Sequence, residues 1–137
     1  MYNSMVSDLL KKYMNEIGQD LVVDDFNLKE VQMRLPSRKH FWVARLMDAK
    51  VDKNKLLAKK KKLKKELTKK VIAESPVKIS LSTAEQHAER HDTIVQINKG
   101  IEEYTIIIEY LEKVEKVLSQ MSYDISNIVK INAMEQL

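Results

Sequence analysis

KVDKNKLLAKKKKLKKELTKK, residues Lys50 to Lys70, holds eleven lysines in twenty-one positions. The run has a regular pattern beneath its charge. Leu56, Leu63 and Leu67 keep the three-four spacing of one helical face, and Trp42, Leu46 and Ala49 carry the same seam upstream. At about 100° per residue, Lys55, Lys62, Lys65 and Lys69 fall nearly opposite the seam, in a row along the helix axis. Like charges at i,i+4 repel by roughly 0.2–0.5 kcal/mol per pair, so a ridge of lysines is unfavourable unless an anion meets it.

The chain carries a net charge of +4, and that figure hides a strong asymmetry. Lys50 to Lys70 has eleven positive and two negative groups, and the remainder has thirteen positive and eighteen negative. A local patch of this strength attracts a polyanion: nucleic acid, an anionic membrane or an acidic protein surface. With no cysteine, disulfides, thiol catalysis and thiolate metal sites are excluded. The N-terminal MYNSMVSDLLKKYMNEIG is charged throughout, and no apolar run approaches the roughly 18 residues of a membrane span. A soluble intracellular protein without membrane association is expected. At 137 residues and 44% hydrophobic content, one modest core is expected, and two glycines with two prolines leave little punctuation for sheet. The expected fold class is all-α: a few long helices with heptad-like seams that assemble into a helical homo-oligomer.

One helical domain is expected over 1–137, in four parts. Residues 1–36 read as an N-terminal helix and linker. Val6, Leu9, Leu10, Tyr13, Met14 and Ile17 form a stripe over 4–17 that ends at Gly18 as C-cap, followed by an extended Asp20–Phe26 and a brief helical turn to Arg34. Pro36 is expected to stop what precedes it, with Ser37 capping a long helix that carries the basic ridge through 37–74. A loop takes 75–82. Ser82-Thr83-Ala84-Glu85 has the form of a capping box that opens a second long helix over 83–137. There Ile94, Ile97, Ile101, Tyr104, Ile108, Leu111 and Leu118 form one heptad seam, with Glu115 its charged member. A second apolar stripe, Ile107, Tyr110, Val114, Val117 and Met121, lies on another face and continues through Ile125 and Ile128; it is assigned to self-association.

Candidate chemistry narrows to binding. His87 and His91 are spaced like metal ligands, but the zinc-protease pattern needs Glu directly after the first His and Ala88 stands there, so a polar first helical turn is the simpler reading. Trp42 beside Phe41 could stack a base, but its place in the seam favours core packing. No glycine-rich phosphate loop and no nucleophile with a paired base is present, so neither an enzyme nor a cofactor is expected. The basic run is almost pure lysine and lacks the asparagine and arginine that read base edges; it neutralises phosphates without reading sequence. The DNA-binding candidates are Lys55, Lys59, Lys61, Lys62, Lys64, Lys65, Lys69 and Lys70. The competing interpretation is a structural coiled-coil or chaperone-like scaffold whose lysines meet an acidic protein partner.

DLVVDD near the N-terminus, LPSRKHFWVARLMDAK before the lysine run and INKGIEEYTIIIEYLEKVEKVLSQMSYDISNIVK near the C-terminus together resemble the UvsY recombination mediators of T-even-like bacteriophages. The likeness covers most of the chain from about Asp20. It implies a small helical protein of the host cytoplasm that forms a ring-like homo-oligomer, hexamer or heptamer, and binds single-stranded DNA. It implies as partners a phage recombinase and a phage single-strand binding protein, with roles in recombination, replication and repair. The family's basic segment has a Leu-Lys-x-Arg-Leu core followed by aromatics; the match here is Leu63-Lys64-Lys65-Glu66-Leu67 followed by Lys69 and Lys70. Glu66 replaces the arginine and lysines replace the aromatics, which moves the expected contacts from stacking toward phosphate neutralisation.

Overall fold

The computed structural model describes the backbone of residues 2–136 and the side chains of residues 8–136; Val6 of the first stripe therefore lies outside the described side chains. Four helices follow one another: α1 (Tyr2–Asp20), α2 (Leu28–Glu74), α3 (Leu81–Glu89) and α4 (Asp92–Glu135). Among the described residues there is no strand, so the all-α reading holds. None of these helices is long and apolar enough to cross a membrane.

The helix boundaries correct the sequence reading at three places. Gly18 does not cap α1, which continues to Asp20. Its φ is not positive, and a helix interior tolerates glycine at a cost of about 1 kcal/mol. The start of α2 is fixed by a reciprocal turn instead of an extended linker. Asp24 Oδ1 accepts from the amides of Phe26 (2.8 Å) and Asn27 (2.9 Å), while Asn27 Oδ1 accepts from the Asp24 amide (2.7 Å). Pro36 then lies inside α2 and does not end what precedes it. An interior proline costs about 3 kcal/mol. Val31 and Leu35 before it and Trp42, Leu46 and Ala49 after it are all buried along one stripe, each large side chain contributing about 1.5–3 kcal/mol, so continuity of that stripe outweighs the break.

The second long helix is also divided. Ser80, not Ser82, is the N-cap of α3; its hydroxyl accepts from the Thr83 amide at 3.1 Å. A break follows at Arg90 and His91, whose amides donate to the carbonyls of His87 and Ala88. His91 then opens α4: its carbonyl accepts from Val95 and its Nδ1 from the Thr93 amide at 3.2 Å. The histidine pair is thus divided between a helix face and a cap. No group of three metal-ligating side chains occurs among the described residues.

The chain forms two compact units. One takes Asp8–Ala49 together with α4 from Ile107 onward; the other is centred on Lys50–Ile106. The first, an aromatic unit, buries Ile17, Val31, Leu35, Trp42, Ile107, Leu111, Leu118 and Ile125. Trp42, 1% exposed, meets Tyr13 and Phe41 edge-to-face at 5.8 and 5.6 Å, and the Arg45 guanidinium lies 4.2–4.9 Å from all three rings. The second, a lysine unit, buries Leu56 and Thr68 of α2, Ala84 and Ala88 of α3, and Ile94 and Ile97 of α4. The two alanines, with no accessible surface, let the nine-residue α3 approach its neighbours closely.

Candidate nucleic-acid interface

In the lysine unit, the apolar seam of α2 turns inward at Leu56, with Leu63 and Leu67 half-buried beside it. Thr68 is buried as well, and its hydroxyl is satisfied by donating to the Lys64 carbonyl at 2.7 Å. Inward placement of this face leaves Lys55, Lys59, Lys61, Lys62, Lys65, Lys69 and Lys70 exposed. These are seven of the eight lysines expected to bind DNA. Glu66 stands exposed among them.

Lys64, the eighth, is already engaged. Its Nζ lies 3.0 Å from Glu89 Oε2, and Lys60 Nζ lies 3.2 Å from Glu89 Oε1, which also accepts from Asn98 Nδ2 at 3.2 Å. Lys60 and Lys64 sit one helical turn apart and both face α3, so one carboxylate serves both charges. The sequence did not disclose this clamp, because Glu89 is separated from the lysines by a loop and two turns of α3; its only trace was the i,i+4 spacing of Lys60 and Lys64.

The bonds from Lys64, Asn98 and Lys60 prevail over burial and hold the Glu89 carboxyl at about 2, well below its ordinary 4.5. The folded value is depressed, so the clamp contributes stability above pH 4.5 that is lost as pH falls toward 2. Because the pair is more than a third exposed, the contribution is modest. Glu89→Gln should therefore lower the thermal midpoint at neutral pH, and the gap from wild type should close across this acid window. A gap that stays constant from neutral pH to pH 2 would show that the carboxylate's charge is not what Lys60 and Lys64 require.

The apolar stripe assigned to self-association is divided by the structure. Ile107 and Val114 are buried within the aromatic unit, and Tyr110 is half-buried, its phenol pushed above the ordinary value by burial. Val117, Met121, Ile125 and Ile128 come together with Leu21 and Val23 around a groove of about 340 Å³. Ile125 is buried, whereas Val117 and Ile128 are exposed. The buried line along α4 passes through Ile107, Leu111, Val114 and Leu118, taking members of both stripes. A straight helix drifts about 20° per heptad from a 3.5-residue repeat, so a single buried line crosses from one heptad seam to the other.

Neither family models nor curated proteins match the sequence. The structure is similar to the crystal structure of the bacteriophage T4 recombination mediator protein UvsY, with a TM-score of 0.77 and 13% identity, covering 92% of this chain and 98% of that one. Across nearly the whole length of both chains, therefore, this protein has the fold of the T4 recombination mediator.

Proposed function

We propose that the chain is a non-enzymatic, single-stranded DNA-binding recombination mediator that works in the host cytoplasm. In this reading it promotes loading of a phage recombinase onto DNA covered by single-strand binding protein, during recombination and recombination-dependent replication and repair. The observation that carries the proposal is the set of seven lysines exposed along α2 on a chain with the fold of a recombination mediator. Ammonium groups without base-reading partners bind phosphate regardless of sequence, which is what loading onto arbitrary single strands requires. Titration of labelled oligonucleotides at two salt concentrations tests it; no binding, or binding indifferent to salt, removes this reading.

Self-association into a ring-like oligomer, hexamer or heptamer, belongs to the same proposal, because many copies of the lysine face along one strand multiply their effective concentration. The exposed Val117 and Ile128, beside the groove, are the residues for a neighbouring copy to cover. Ile125 is needed for the unit's own packing, so point substitutions test this better than truncation. Val117→Glu with Ile128→Glu should reduce the solution mass toward the 16.0 kDa monomer and weaken DNA binding with it. An unchanged oligomeric mass would place the subunit contact elsewhere.

A further inference from the structure

Within the lysine unit, α2 and α3 border a groove of about 450 Å³ whose lining combines two chemistries. Lys61, Lys65 and Lys69 line it from α2 at i,i+4 spacing, stepping about 6 Å along the axis per interval, the scale of one sugar–phosphate repeat in an extended strand. Ile72 and Leu81 supply an apolar surface, 43% and 61% exposed. Glu85, from α3, is the acidic member. Capping does not explain the exposed Leu81, since Ser80 performs that role and the first helical position makes no apolar demand.

We infer that this groove is a nucleobase subsite which takes unstacked bases of a single strand against Ile72 and Leu81 while Lys61, Lys65 and Lys69 hold the adjoining phosphates. The inference rests on the proposed DNA binding and adds the source of single-strand selectivity. The charge of the lysines specifies a polyanion, and an apolar surface specifies a polyanion with exposed flat apolar groups. A duplex presents phosphates but keeps its base faces stacked inside; a single strand can turn them outward. Glu85 fixes the polarity of the groove. It repels phosphate toward the lysines, and its carboxylate can accept from the exocyclic amino group of cytosine or adenine.

The test compares labelled oligo(dC) with an abasic strand of equal length, which keeps the phosphates and lacks the bases, using the full chain and the double variant Ile72→Ser with Leu81→Ser. Both side chains are exposed, so helix content by circular dichroism should be unchanged. Wild type should prefer oligo(dC) by about fivefold, the low end of the effect of aromatic platforms. The variant should lose that preference while keeping its affinity for the abasic strand and its salt slope. Equal wild-type affinity for the two strands would overturn the subsite and leave DNA binding in place. Binding of neither strand would overturn the DNA reading itself. Capture of an acidic, leucine-containing peptide with no affinity for either strand would assign the groove to a protein partner and overturn both.

Discussion

Alanine at Lys55, Lys62, Lys65 and Lys69 together should lower affinity for single-stranded DNA by a few hundredfold at about 0.1 M salt, with the fold intact. All four side chains are exposed, so no packing is lost. On single strands each neutralised phosphate contributes about 0.7 to the slope of log affinity against log salt, so the slope should become shallower by up to about 2.8 per binding unit. Because lysine reads no base edges, the loss should be similar across sequences with the same bases exposed. Lys12, Lys29, Lys99 and Lys113 provide the control set: all four are exposed and lie outside the run. An equal loss from the control set would reduce the effect to net charge, and an unchanged salt slope in the ridge variant would put the DNA on another surface.

The second large effect concerns stability. Asp20, 7% exposed at the end of α1, accepts from Arg38 Nε at 2.8 Å, Arg38 Nη2 at 3.0 Å and Trp42 Nε1 at 2.8 Å. Burial pushes its carboxyl upward, but the bonds from Arg38 and Trp42, together with the charges of Arg38 and Arg34, outweigh burial and hold it below the ordinary value. Asp20→Ala leaves a buried indole N–H without an acceptor, at about 1–3 kcal/mol. It also strands a guanidinium whose buried pair would be worth about 3–5 kcal/mol, less here because Arg38 is 30% exposed. A total loss of about 3 kcal/mol is expected in urea unfolding. Asp25→Ala, at an exposed acid nearby, should change little. If the two variants unfold alike, Asp20 is not the link between α1 and α2. Since the folded value is depressed, the stabilisation is present above the ordinary value of 3.8 and is lost as pH falls through the folded one, so the two Asp20 proteins should converge in acid.

What the sequence disclosed follows from the range of its signals. Helical periodicity is local, so the all-α class, the inward Leu56 and the outward Lys55, Lys62, Lys65 and Lys69 were legible from spacing alone. Trp42 shares its seam with Leu46, and both are buried as that spacing predicts. Pro36 signals a break locally, but the burial of Val31 and Leu35 ahead of it, which depends on tertiary packing, outweighs its penalty. The break at Arg90 and His91 contains no glycine or proline and so leaves no local mark. Pairs that join distant segments, Asp20 with Arg38 and Glu89 with Lys64, cannot be recovered from periodicity, since each depends on which helices pack together. Spacing alone therefore makes Lys64 a DNA-binding candidate, although Glu89 engages it.

The division of the chain into units bears on how it reaches this structure. Residues 50–106 form one contiguous stretch, whereas the aromatic core draws on segments separated by all 57 of them. Joining those segments while the intervening chain is still a coil would cost roughly 3–4 kcal/mol of loop-closure entropy beyond a constant. Packing of residues 50–106 into a unit of their own shortens the effective loop between the segments that hold Trp42 and those that hold Leu111 and Leu118. The helix that carries the charge also acts as the clasp of the topology, so a lesion in its inward face at Leu56 or Thr68 raises the entropic cost of closing the aromatic core, while a change on its lysine face does not.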